Sequence, residues 1–306
     1  MARWSPHPLT LRQLQYALAV AKFGSFRKAA HACAIAQPSL SAQIAQLESA
    51  LGVVLFERLP RGVTVTEAGR AVLERAEQTL LAADDLVNAA ERRRDPEGGT
   101  LRVGVIPTVA PYLLPEIMPL LRKRYPRMQF LWVEEKTEPL LARLAVGALD
   151  AGIVALDEEL GELEHAELGR DPFLLAVPAG HRLARAGAPA QLEHLDGETV
   201  LLLDDGHCFR DQVLSFCQRA GADEASVRAT SLSTLAQMVA GGAGITLLPR
   251  LAIATENRAR SLVTRSFGPR GPSRTLALAW RRTFPAAGTV SAIGGLIRQA
   301  LPALLR

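Results

Sequence analysis

The chain is 306 residues long, 48% hydrophobic and 22% charged, which describes a globular protein rather than a disordered one and allows two domains. No run of 18 apolar residues occurs, which excludes a hydrophobic spanning helix, and three cysteines exclude a disulfide scaffold. The formal net charge of +4 is unevenly placed: residues 1–65 carry seven Lys or Arg against two acids, and the remainder carries 28 against 29.

A small basic head on a near-neutral body implies that the head meets a polyanion. The opening stretch MARWSPHPLTLRQL has neither the apolar region nor the cleavage site of an export signal. A cytoplasmic protein without membrane association is expected, and there a disulfide is transient and sensory rather than structural.

In chain order, Leu11, Leu14, Leu18 and Phe23 have the period of an amphipathic helix. Ser25 is placed to cap a second, alanine-rich helix. After a turn of four residues, Cys33–Ala36, a third helix opens with Gln37-Pro38-Ser39, since Pro is favoured in a first helical turn. Leu40, Ile44, Leu47 and Leu51 line its inner face, and Gly52 ends it. Ser39, Ser41, Gln43 and Gln46 lie largely elsewhere on that helix. A short helix, a turn and a helix with polar residues at its start form a helix-turn-helix pattern, whose second helix enters the major groove. Ser and Gln there read base edges or hold phosphates. FERLPRGVTVTEAGR reads as a β-wing, a turn at Pro60–Gly62, with Arg58 and Arg61 beside the groove. A three-helix bundle with a hairpin would show the same periodicities.

The elements SFRKAA, AQPSLSAQI, LE..LG..LF.R and VT.T.AG stand in the order and spacing of the winged head of LysR-type transcriptional regulators, which residues 11–69 resemble nearly end to end. The resemblance implies binding to promoter double-stranded DNA and contact with RNA polymerase. Ala42 and Ala45 lie where many members place Arg or Lys. Base discrimination then rests on Ser39, Gln43 and Gln46, with more weight on DNA shape and the wing.

From Thr66 to about residue 93 a long helix is predicted, with Val72, Ala76, Leu80, Ala83 and Val87 recurring close to every 3.5 residues. Thr66 is placed to cap it and Arg92–Arg94 suit its C-terminal dipole. Such a helix wants a partner, and the resemblance implies pairing into a homodimer and a homotetramer. DPEGG, residues 95–99, is the expected hinge. The domain reading is 1–67 for the head, 68–98 for the dimerising helix and hinge, and 99–306 for a regulatory body.

In the body LRVGVI, QFLWVEE, DAGIVAL, PFLLAVP, TVLLLD, GITLLP and RTLALAW read as strands between helical stretches, which predicts an α/β body with mostly parallel sheets. The family resemblance implies two lobes like those of periplasmic binding proteins, about 99–172 with 275–306 and about 173–274, with a ligand between them. The fold class is therefore α/β: a winged helix-turn-helix, a long linker helix and a two-lobed regulatory domain.

DDGHCFRDQVLSFC, residues 204–217, holds Cys208 and Cys217. A strand and a turn precede it, so Cys208 falls in the first turn of a helix. That helix terminus and Arg210 favour a thiolate, as would a protonated His207, while Asp205 and Asp211 oppose it. As buried small residues the cysteines need no role. A zinc site of His207, Cys208 and Cys217 lacks a fourth ligand. No metal and no cofactor are expected. Cys33 reads as core, and His165, His181 and His194 as loop or surface residues.

GVIPTVAPYLLPEIMP, the cysteine run itself and RTLALAWR resemble the peroxide-sensing members of the LysR-type family along essentially the whole chain. That resemblance implies a hydrogen peroxide signal, with Cys208 as the peroxidatic and Cys217 as the resolving residue of a reversible disulfide. It implies Thr108, Thr137, His207, Asp211 and Arg274 at the peroxide site, and a thiol reductant such as glutaredoxin. Ala110 and Phe209 depart from the common Gly and Leu. If residues 209–217 are helical, nine residues at about 1.5 Å each separate the two Cα atoms by roughly 13–14 Å, whereas a disulfide needs about 4.4–6.8 Å. Closing the bond must then refold the segment. Two other functions fit the residues: a regulator gated by a small organic anion with structural cysteines, and a thiol peroxidase that turns over.

Overall fold

A computed structural model describes residues 7–59, 62–95, 97–156, 160–185 and 189–305. The chain forms two compact units, Met1–Ala90 and Glu91–Arg306.

In the first unit, α1 (Leu11–Phe23) begins at Thr10, which exchanges capping hydrogen bonds with Gln13, and ends at the left-handed Gly24. Ser25 caps α2 (Phe26–Ala32) by accepting from the Lys28 amide. The expected turn, Cys33–Ala36, leads into α3 (Gln37–Leu51), with Pro38 in its first turn and a left-handed Gly52 after it. Ala17, Val20, Ala29, Leu40, Ile44 and Leu47 close one core. Strands β1 (Phe56–Leu59) and β2 (Gly62–Val65) pair antiparallel as the wing. Glu48, on α3, fixes its start: Oε1 accepts from the amides of Leu55 at 2.7 Å and Phe56 at 3.3 Å. Pro60, Arg61 and the side chains of Arg92, Arg93 and Arg94 lie outside the described residues.

The long helix α4 (Glu67–Arg94) follows. Thr66 Oγ1 accepts from the Gly69 amide at 2.8 Å, which caps it as expected. Leu73 and Ala76 join the head core, whereas further along Leu86 and Val87 are 73% and 56% exposed. Gly69 is required here: a Cβ would stand 2.4 Å from the Leu55 carbonyl oxygen, so only glycine lets α4 lie this close to the wing.

The second unit contains β3 (Gly99–Val105), α5 (Ala110–Arg124), β4 (Met128–Glu134), α6 (Thr137–Ala145), β5 (Ala151–Ala155), β6 (Leu163–Pro178), β7 (Thr199–Leu203), α7 (Cys208–Gln218), β8 (Asp223–Ala229), α8 (Leu232–Ala240), β9 (Thr246–Pro249), α9 (Arg250–Glu256), β10 (Leu262–Ser266), β11 (Ser273–Arg281) and α10 (Ala287–Leu304). Seven strands form one sheet in the order β10-β6-β11-β5-β3-β4, with β9 also on β6; β7 and β8 form a second pair. Residues 163–172 of β6 pair with β11, and residues 173–178 with β9 and β10. The strand thus runs through both halves of the body.

The expectation of mostly parallel sheets is corrected. β3 is parallel to β4 and β5, and β7 to β8, but β11 runs antiparallel to β5 and β6, and β6 antiparallel to β9 and β10. Parallel neighbours arise from helical crossovers. The chain instead passes along β6 into the far half and returns along β11. Three strand features escaped the sequence pattern: β8, β10 and the first half of β6. β8 is mostly exposed and the start of β6 is polar, so neither carries a period-two apolar signal. Among the described residues no helix is long and apolar enough to cross a membrane.

Gly69→Ala should destabilise the head by about 1–3 kcal/mol through overpacking. Gly288→Ala, in α10 with open space at its Cβ position, should be neutral or stabilising by up to about 1 kcal/mol. Urea melts of the two variants check the contrast.

Candidate functional site

On α3, Ser39 and Gln46 are exposed and Ser41 and Gln43 half-buried. Arg58, on β1, folds onto the same helix: its NH2 donates to Ser41 Oγ at 2.8 Å, and its guanidinium carbon lies 4.5 Å from the centre of the Phe26 ring. Arg58 therefore braces β1 against α3 and α2 as well as adding positive charge there. Arg61 lies outside the described residues.

In the body, β7 delivers the chain to Asp204-Asp205-Gly206, where Gly206 at φ +85° allows the reversal that aims α7 back. His207 is the N-cap and Cys208 the first residue of α7. The inner face of the helix carries Cys208, Phe209, Val213 and Cys217, all at most 9% exposed. Both cysteines lie on one helix, nine residues apart, which places their Cα atoms roughly 13–14 Å from each other. No disulfide joins them. Burial pushes the Cys217 thiol up to about 12, so in this fold Cys217 is a thiol and not a thiolate. Cys33 is half-buried against the head core.

The charged groups around Cys208 are committed to one another. Arg210 meets Asp205 (3.4 Å), Asp211 (3.2 Å) and Glu224 (3.2 Å). Arg228 meets Asp205 (2.7 Å) and Glu224 (3.2 Å). Arg210, expected to favour a thiolate, is thus shared among three carboxylates. The Asp211 side chain is 67% exposed and paired to Arg210; it faces this cluster and does not line the cavity beside His207. His207 is buried, with Nε2 3.1 Å from Asp204 Oδ1 but out of line for a hydrogen bond. Burial foremost, and then the charge of Lys136, lower its pKa against an opposing pull from Asp204. The imidazole is therefore neutral near pH 7, and the help expected from a protonated His207 is absent.

A cavity of 150 Å³ opens beside His207, lined also by Thr108, Tyr112, Glu134, Ser233 and Glu256. Thr108 is 3% exposed and Arg274 1%. Arg274 NH1 donates to Thr108 Oγ1 at 2.6 Å and NH2 to the Thr108 carbonyl at 3.0 Å. Because Thr108 Oγ1 accepts from Arg274, its own proton is left to be donated elsewhere. Arg274 pairs with Asp171 at 3.0 Å, and Asp171 Oδ1 also accepts from the Leu251 amide. Burial pushes the Asp171 carboxyl up, and Arg274 pulls it back. The Arg274 guanidinium lies 5.6 Å from the Phe209 ring centre, and Phe209 stands edge-on to Phe173 at 5.0 Å.

The structure thus joins Thr108, Arg274 and His207 around one region, with Phe209 linking Arg274 to α7. Thr137 is buried as the first residue of α6, directly after Lys136, whose ammonium reaches Asp204 at 3.3 Å and the Asp205 carbonyl at 2.7 Å. Lys136, Asp171 and Asp204 were not singled out from sequence. Each finds its partner 68–103 residues away or in the adjoining loop, and no periodicity records such pairings. Among the described residues no cluster of three or more His, Cys, Asp or Glu could hold a metal ion.

Two family models match: the bacterial regulatory helix-turn-helix protein, lysR family, over residues 11–70, and the LysR substrate binding domain over residues 94–302. A curated relative, the hydrogen peroxide-inducible genes activator of Pectobacterium carotovorum subsp. carotovorum, is 40% identical over 292 residues, covering 95% of this chain and 96% of that one. Two similar solved structures are each 34% identical. A cysteine-to-aspartate variant of full-length OxyR from Pseudomonas aeruginosa has a TM-score of 0.74 and covers 96% of both chains. A cysteine-to-serine variant of Corynebacterium glutamicum OxyR, H2O2-bound, has a TM-score of 0.67 and covers 98% of this chain and 94% of that one.

Arg274→Met strands the Asp171 carboxylate without its cation and should destabilise the body by about 3–5 kcal/mol; adding Asp171→Asn should recover much of that loss in a urea melt. Cys217, held as a thiol by burial, should resist iodoacetamide at pH 8 in the folded protein and react on adding denaturant, as read by peptide mass spectrometry.

Proposed function

The chain belongs to the LysR family of bacterial transcriptional regulators, and from that premise we propose that it senses hydrogen peroxide through a reversible Cys208–Cys217 disulfide and controls antioxidant genes. The observation that carries this reading is the placement of both cysteines on one helix, at a separation that a disulfide cannot span without unwinding it.

The proposed first step is attack of the Cys208 thiolate on one peroxide oxygen. The O–O bond breaks, sulfur gains oxygen as a sulfenic acid, and the second oxygen leaves as hydroxide that takes a proton to become water. Thr108, its hydroxyl oriented by Arg274, and neutral His207 donate toward the charge growing on the departing oxygen; Thr137 adds a hydroxyl at the start of α6. Asp211 acts through its pairing with Arg210, where it helps to hold the start of α7. In the second step α7 unwinds, Cys217 becomes hydrated and loses the burial that keeps it protonated, and its sulfur displaces hydroxide from the sulfenic acid. The helix therefore both separates the cysteines and silences the resolving one. A cytoplasmic thiol reductant such as glutaredoxin restores the dithiol by exchange.

Output passes to DNA through the winged head, with Ser39, Ser41, Gln43 and Gln46 on the reading helix and Arg58 and Arg61 at the wing. The exposed Leu86 and Val87 of α4 support a homodimer paired along that helix, and two dimers form the homotetramer that presents four heads to promoter DNA and to RNA polymerase. The organic-anion reading is weaker: the cavity beside His207 presents Glu134 and Glu256, and among the described residues no Lys or Arg lines it, so an anion meets repulsion there.

Reduced protein treated with stoichiometric hydrogen peroxide should yield a Cys208–Cys217 disulfide by peptide mapping and an altered footprint on its promoter DNA. Cys208→Ser should keep DNA binding and lose the response. A footprint unchanged with the bond formed would sink the proposal, and continuous peroxide consumption at steady state would favour a thiol peroxidase.

A further inference from the structure

We propose that Lys136 is a positioning residue of this sensor, a tether that runs from the start of α6 to the turn before Cys208 and holds His207 and the N-terminus of α7 beside Thr137. The proposal rests on the peroxide reading above. It starts from a side chain that is neither at the sulfur nor on the surface pattern of its own helix. Lys136 is the N-cap residue of α6 and forms no side-chain cap there. Its ammonium instead donates to both oxygens of Asp204, at 3.3 and 3.4 Å, and to the Asp205 carbonyl at 2.7 Å. Its aliphatic stem lies over Gly206, where a Cβ would come within 3.2 Å of the Lys136 Cδ. All three residues of the turn between β7 and His207 are therefore in contact with one side chain from a distant element.

The tether also fixes charge. Asp204 Oδ1 sits 3.3 Å from the Lys136 ammonium and 3.1 Å from His207 Nε2, so the carboxylate is shared. Other charged or titratable groups near His207 are Glu134 from β4, Tyr112 from α5 and Glu256 from α9, which line the same cavity, and Asp205, Cys208, Arg210 and Asp211 from its own segment. Of these and the neighbouring Asp204, Asp204 is the carboxylate that draws a proton onto the imidazole. Lys136 is the cation that opposes Asp204; Arg210 is occupied by Asp205, Asp211 and Glu224. With Lys136 removed, the turn loses its anchor to the start of α6, and the site loses a cation that favours deprotonated groups. An imidazole that swings away no longer stands where the departing oxygen develops charge.

The test uses the full chain in a Cys217→Ser background, so that only sulfenic acid formation at Cys208 is timed, with hydrogen peroxide as the probe from pH 5 to pH 9. Lys136→Met should slow the reaction by roughly tenfold or more at pH 7, the scale of a misplaced group near a reacting centre. It should also move the acidic limb of the profile to higher pH. Lys136→Arg should restore the parent rate to within about threefold, because a guanidinium can reach the same carboxylate. Circular dichroism and the reduced-state melting temperature should be unchanged, since the Lys136 side chain is 37% exposed and an exposed pair contributes about 0–1 kcal/mol. A Lys136→Met profile that overlays the parent overturns the tether, as does an equal slowing at all pH values that Lys136→Arg fails to rescue. If the parent itself forms no sulfenic acid at Cys208, the peroxide reading falls and this one with it.

Discussion

An α-helix advances about 1.5 Å per residue, and in this protein that rise is what keeps two thiols from becoming a disulfide. Cys208 opens α7 and Cys217 nearly closes it. Every residue between them contributes to the separation, so the bond and the helix exclude each other. The helix in turn is held by what it buries. Withdrawing Phe209 and Val213, each 1% exposed, resists unwinding by about 1.5–3 kcal/mol apiece, and the Asp205, Arg210, Glu224 and Arg228 pairs tie the helix start to β8. Pairs whose carboxylates or cations reach solvent, as Asp205 and Arg228 do, add little singly. Their role is to orient the turn and the helix start against one neighbouring strand.

Burial makes the device more than a spacer. The same burial that stabilises α7 raises the Cys217 thiol to about 12, so its sulfur stays protonated while the helix stands. Under the peroxide proposal, a sulfenic acid at Cys208 adds a polar oxygen to a buried position at the start of α7. The buried Arg274–Asp171–Thr108 group is where chemistry and packing meet. Arg274 holds Asp171 and Thr108 at full burial and lies against Phe209, which ties α7 to the strands β6 and β11 that carry Asp171 and Arg274.

The head, the long α4 and both cysteines were legible in the sequence because local rules govern them. Capping by Ser25 and Thr66, Pro38 in a first turn, the Cys33–Ala36 turn and the periodic Leu40, Ile44 and Leu47 all depend on neighbours within four residues or so. The helical spacing of Cys208 and Cys217 is equally local. What escaped was set by long-range pairing. The antiparallel return of β11 along β6, the buried Asp171 partner of Arg274, and the Lys136 bridge to Asp204 join residues far apart in sequence, and nothing in composition or period marks them. The charge environment of Cys208 could be named from sequence but not weighed, because Arg210 turned out to be divided among three carboxylates and His207 to be neutral.

The central claim is that the Cys208–Cys217 bond and α7 cannot coexist, and backbone hydrogen exchange tests it most directly. Amides of residues 208–218 should be protected in the reduced protein and lose that protection in protein whose disulfide has been confirmed by mass, while the amides of β3, β5 and β11 stay protected in both. A confirmed Cys208–Cys217 bond with α7 protection intact would contradict it.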